Sequence, residues 1–137
     1  MFVDACAIVS LFTGEATAPA YDRALLRARD PFTSPMAAWE AIIVLSRPEL
    51  LDCAYSASAA AVIEWLAVRG IALRETGAPE ESLALAVKVA ERHGIGRRAL
   101  SNFNCFHYAH ARIAGVPLLT LDRLLAEIDV ATEPGIS

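Results

Sequence analysis

Residues 1–9 read M-F-V-D-A-C-A-I-V and residues 116–122 read V-P-L-L-T-L-D. Met1–Val3 and Val116–Leu121 are each a short, mostly apolar run followed at once by an acid. Runs of this kind suit strands covered on both faces. Met1–Val3 is therefore expected to be one strand and Val116–Leu121 another, with Asp4 and Asp122 at their carboxyl ends. Between them, helical spacing dominates. Ala5–Phe12 reads as a short helix closed by Thr13-Gly14, and Thr17–Arg29 as a second, with Ala20, Tyr21, Ala24, Leu25 and Ala28 at three- and four-residue steps. Asp30-Pro31 stops it, because proline disfavours helical geometry in the residue before it.

Phe32-Thr33 is the next strand candidate. Ser34-Pro35 then opens a helix, with serine as the cap and proline at the first helical position. This helix carries Glu40 and ends near Ser46, before Arg47-Pro48. Ala54–Arg69 is an apolar helix closed by Gly70, and Ile71–Arg74 a strand. Pro79-Glu80-Glu81 starts a helix with acids at its positive end, running to His93-Gly94. Asn104–Ala114 is a further helix, Asp122–Glu127 a short one, and Asp129–Ala131 a last strand. Strands alternate with helices throughout. The expected fold is α/β: a three-layer sandwich with a mostly parallel central sheet and helices on both faces, all in one domain over residues 1–137. In such sheets, function collects at the carboxyl ends of the strands.

The totals narrow the function. A chain of 137 residues buries about two-thirds of its unfolded surface, so it needs no disulfide or structural metal. Apolar residues make up 55%, with 27 alanines, and mean hydropathy is +0.41. That excess is consistent with some apolar surface covered by a second copy. The net charge of −4 argues against a protein that coats nucleic acid electrostatically. It leaves room for a nuclease whose bound cation supplies local positive charge. Cys6, Cys53 and Cys105 show no C-x-x-C pair and are expected to be buried free thiols in a reducing compartment. Met1-Phe2-Val3-Asp4 has no basic leader region, and no apolar run reaches the ~18 residues of a membrane span. A cytoplasmic protein with no membrane partner is expected.

Asp4 and Asp122 should emerge at the same sheet edge, and Glu40 starts near it. Three carboxylates in one cleft repel one another unless a cation joins them. Oxygen-only ligands suit Mg²⁺ or Mn²⁺. Each acid also has a plainer reading: Asp4 and Asp122 as helix caps, Glu40 as a solvated helix residue. Residues 1–9, T-S-P-M-A-A-W-E-A at 33–41, and Asn104-Cys105-Phe106-His107-Tyr108-Ala109-His110-Ala111-Arg112 through Gly115-Val116-Pro117-Leu118-Leu119 resemble, in that order, a PIN-domain ribonuclease of the VapC toxin type. The resemblance implies the sandwich described above and an acidic cluster binding Mg²⁺ or Mn²⁺. It further implies endoribonuclease activity on RNA, a cognate antitoxin that blocks the cleft, and frequent homodimerisation. By position, Asp4, Glu40 and Asp122 carry over as acidic catalytic and metal-binding residues, the last with a possible one-residue shift in Thr120-Leu121-Asp122-Arg123.

The family's third acid falls on Asn104. An amide oxygen can still face a metal, but it carries no charge and cannot act as a base. Such a change lowers metal affinity and activity by at least the ~10–100-fold typical of a lost supporting residue. Two explanations stand: a substitution that allowed a toxic enzyme to be produced, or a natural residue in a weak or silent nuclease. The alternative function is thus a catalytically inactive PIN-like module that binds an antitoxin or RNA. An aspartyl-phosphatase reading of Asp4 fails because Cys6 stands where a second aspartate is wanted. Thr120 is read as making a local turn bond, and His107 as a packed or surface residue. Arg97 and Arg98 are read as surface groups able to meet phosphates, Trp39 and Trp65 as core or partner contacts, and Asp129 as structural.

Overall fold

In a computed structural model, which describes residues 1–135, the chain forms a five-stranded sheet. The elements are β1 (Phe2–Val3), α1 (Ala5–Thr13), α2 (Ala18–Arg27), β2 (Phe32–Thr33), α3 (Pro35–Leu45), α4 (Tyr55–Val68), β3 (Ala72–Leu73), α5 (Pro79–His93), α6 (Asn102–Ala114), β4 (Leu118–Leu119), α7 (Arg123–Ala126) and β5 (Thr132–Glu133). The strand order is β3-β2-β1-β4-β5 and every pairing is parallel.

Two-residue strands suffice because successive residues point to opposite faces. Val3 and Leu119 join a core with Ile8, Leu25, Leu45, Val62 and Leu66 from α1–α4. Phe2, Phe32 and Leu118 join a second core with Val89, Tyr108 and Leu125 from α5–α7 and Leu100 from the loop before α6. The sheet therefore lies between two helical layers, as expected. Among the described residues, no helix is long and apolar enough to cross a membrane.

Three expectations need correction. The last strand lies at Thr132–Glu133, beyond Asp129–Ala131. The Asp129 side chain is taken by Tyr108, and Val130 N–H turns back to the Ile128 carbonyl, so pairing to β4 begins only at the Ala131 carbonyl. The α6 helix starts at Asn102, two residues early, because the Ser101 hydroxyl accepts from Asn104 N–H and caps it. Cys6 and Cys53 are exposed and only Cys105 is buried.

Candidate metal centre

Because β2, β1 and β4 run side by side in parallel, the residues that follow them form a row: Ser34, Asp4 and Thr120. Asp4 is 1% exposed. Its backbone is extended, and Oδ1 accepts from Ala7 N–H at 2.8 Å, capping α1. Thr120 Oγ1 accepts from Asp122 N–H at 3.1 Å, the expected turn bond, which leaves its proton for Asp4. Burial pushes the Asp4 pKa up to about 6. The hydrogen bonds from Thr120 and Ala7 and the nearby His107 pull it down, while Glu40 pushes it up. Among the described residues no Lys or Arg pairs with Asp4.

Glu40 sits in the second turn of α3. Its Oε2 lies 2.7 Å from His107 Nε2. His107 is fully buried in α6, its ring tilted against Phe2 with centroids 5.6 Å apart. His107 Nδ1 is buried without a hydrogen-bond partner. A lone proton there would be an unsatisfied buried donor, whereas a proton on Nε2 is met by the Glu40 carboxylate, so Nε2 donates to Glu40. Glu40 is thus gripped from below rather than solvated.

Asn104 occupies the third position of α6, and its Nδ2 lies 3.4 Å from Asp122 Oδ2, a long and weak bond. Asp122 caps α7, with Oδ1 accepting from Leu125 N–H at 3.0 Å. Tyr21 sets the turn between them: its hydroxyl accepts from Leu121 N–H at 3.0 Å, and burial raises its pKa. Cys6 reports on the whole corner. It is exposed and lines a shallow recess with Glu15 and Glu40. Desolvation, then Asp4, Glu40, Asp122 and Glu15, push its thiol up to about 12.

Both plainer readings hold for the aspartates: each caps a helix with one oxygen. Capping leaves Asp4 a second oxygen and Asp122 an oxygen that meets only the Asn104 amide. Among the described residues, no three His, Cys, Asp or Glu groups are assembled closely enough to hold an ion. The donor chemistry nevertheless fits a hard divalent cation. A wholly buried carboxylate with no cationic partner is what such an ion would relieve, and Glu40, Asp122 and the Asn104 amide oxygen supply further oxygens.

The PIN domain family matches residues 1–131. The chain belongs to that family. Its fold is similar to that of Mycobacterium tuberculosis VapC20, described as a sarcin–ricin loop cleaving toxin, at 16% identity and a TM-score of 0.71, covering 95% of each chain. No curated protein matches the sequence significantly.

Within this PIN domain, the remaining sequence candidates fall outside the carboxylate corner. Arg97 and Arg98 are exposed in the loop before α6, Arg98 with φ 65°. Trp39 is 44% exposed and meets Tyr55 edge-on, whereas Trp65 packs against Phe12 and the α1–α4 core. Asp129 is structural, held by Tyr108 Oη at 2.8 Å and paired with Arg112. His107, expected as a packed or surface residue, instead holds Glu40. Its spacing three residues after Asn104, on the same helix face, was the available signal.

Proposed function

We propose that this PIN domain, spanning residues 1–137, is the endoribonuclease toxin of a toxin–antitoxin pair. It works in the cytoplasm with Mg²⁺ or Mn²⁺, and its activity is lowered by Asn104. The observation that carries this is Asp4, a buried carboxylate with a raised pKa and, among the described residues, no cationic partner, near Glu40 at the carboxyl edge of a parallel sheet. Asp4, Glu40, Asp122 and the Asn104 carbonyl oxygen would hold the cation. When bound, it supplies a water acidic enough to attack a phosphodiester and charge to stabilise the leaving oxygen.

The chain's own residues prepare that site. Thr120 and the first turn of α1 fix the Asp4 carboxylate, while His107 fixes one oxygen of Glu40. The α7 N-terminus holds Asp122. Asn104 contributes an oxygen without charge, so the set holds cations more weakly than four carboxylates would. The likeness in fold to VapC20, a sarcin–ricin loop cleaving toxin, supports RNA as the substrate and a cognate antitoxin as the partner. The exposed Trp39 and Tyr55 support apolar contact with a second copy.

One observation favours a second reading, a silent module that binds an antitoxin or RNA. The Asn104 amide donates to Asp122, so an oxygen the cation would use is already engaged. The deciding experiment is Mn²⁺-dependent cleavage of a structured RNA panel by the chain and by Asn104→Asp, with EDTA controls. The nuclease reading expects the aspartate form to cut at least about 10-fold faster and EDTA to stop it. If neither form cuts, the silent module is the better account.

A further inference from the structure

The cations of this acidic chain are segregated. Lys88, Arg92, Arg97, Arg98, Arg112 and Arg123 are half of its twelve Lys and Arg residues, and they fall within residues 88–123. That segment holds only two acids, Glu91 and Asp122, so it is net +4 and the rest of the chain is net −8, consistent with the total of −4. The segment is the end of α5, the loop 94–101, α6, β4 and the start of α7, which together flank one side of the carboxylate corner. The other side, α3 and the turn after α1, offers Glu40 and Glu15.

The cations are also available. All six are exposed, and among the described residues only Arg112 is in a salt bridge, with Asp129. Lys88, Arg92 and Arg112 line one recess of about 150 Å³ with Tyr108 and Asp129, between α5 and α6. Arg98 lines a second recess against Leu124 of α7, whose cap is Asp122. Arg112 stands eight residues along α6 from Asn104, about 12 Å at 1.5 Å per residue. The recess and the loop arginines thus form a basic path leading away from the corner along the α5–α6 side.

We propose that this path binds the RNA phosphate backbone, so that substrate reaches the carboxylate corner from the α5–α6 side and not from the α1–α3 side. The inference rests on the RNA-cleaving reading above. It explains how a chain of net charge −4 holds a polyanion: the acids concentrate where a cation is wanted, and one flank is basic. A phosphodiester is recognised here by charge and by arginine geometry, with no base contact implied.

The test is the salt dependence of binding of a fluorescein-labelled hairpin RNA, by anisotropy in EDTA, so that neither cleavage nor a metal-borne contact enters. The proteins are the full chain, Lys88→Gln/Arg92→Gln, and Arg23→Gln/Arg29→Gln as an exposed control with the same charge change on the opposite helical layer. Each neutralised phosphate contact should lower the slope of log affinity against log salt by about 0.7–0.9. The α5 pair should therefore lose about 1.5 in slope and the control nearly nothing. Equal slopes for both pairs overturn the path, as does a parent chain that does not bind RNA in EDTA. Cleavage by Asn104→Asp with unchanged α5-pair slopes would leave the nuclease reading standing and remove only this inference.

Discussion

Asp4→Asn should make the metal-free protein more stable at neutral pH. An acid whose folded pKa is raised holds its proton more tightly folded than unfolded, so its contribution is favourable at low pH and is lost as pH rises. For Asp4 the loss spans the interval from its ordinary 3.8 to about 6. At about 1.4 kcal/mol per pH unit, the ionised side chain costs about 3 kcal/mol at pH 7.5. Asparagine keeps an oxygen for the Ala7 N–H and can donate to the Thr120 hydroxyl, so the cap survives. For a domain of this size, 3 kcal/mol is a rise of about 10 °C in Tm. The assay is thermal unfolding by circular dichroism in EDTA, at pH 4 and pH 7.5. The gap between variant and parent should open at pH 7.5 and nearly close at pH 4. Added Mn²⁺ should raise the parent's Tm more than the variant's. A gap that is absent at pH 7.5, or equal at both pH values, refutes the claim that Asp4 is an uncompensated buried charge.

Two further outcomes follow from the site and its surroundings. In an Asn104→Asp background, His107→Leu should weaken Mn²⁺ binding about 10–100-fold by calorimetry, while His107→Gln, which keeps a donor near Glu40, should recover most of it. Equal Mn²⁺ affinity in all three proteins would leave His107 a packing residue only. Sedimentation at micromolar concentration should give about 29 kDa, twice the 14.7 kDa chain, and a monomer there sinks the homodimer.

The sheet edge was legible because each of the three central strands is a short buried pair followed at once by a polar residue. Phe2-Val3-Asp4, Phe32-Thr33-Ser34 and Leu118-Leu119-Thr120 read the same way in sequence and in space. Proline fixed other bounds: α3 begins at Pro35 and α5 at Pro79, as expected. What escaped was tertiary. Glu40 and His107 lie 67 residues apart, and nothing local to either says that one ends on the other. Asp129 looked like strand because it precedes Val130-Ala131, but its partners are on α6, and they hold the chain in a turn until Ala131. Cys6 was expected to be buried as a free thiol with no C-x-x-C partner. It takes the outward position of the first turn of α1, while Ala5 and Ala7 face the core.

The Asn104–Asp122 contact bears on why this residue is compatible with a well-packed apo protein. With aspartate at 104, the corner would hold four carboxylates, two of them in the 3.4 Å contact that the amide now makes. Like charges at that separation raise one another's pKa and oppose folding unless a cation intervenes. Asparagine replaces that repulsion with a weak hydrogen bond and removes one negative charge from the contact with Asp122. Restoring aspartate therefore trades apo stability for cation affinity. The same exchange governs Asp4, where the group that would grip the metal is the one that destabilises the chain without it. A corner that holds its cation is stabilised by it, because an ion that binds only the folded chain raises Tm, whereas a corner that holds none shows no shift. The size of the Mn²⁺ shift in Tm, parent against Asn104→Asp, thus reports whether Asn104 has cost the corner its cation, by a measurement that requires no substrate.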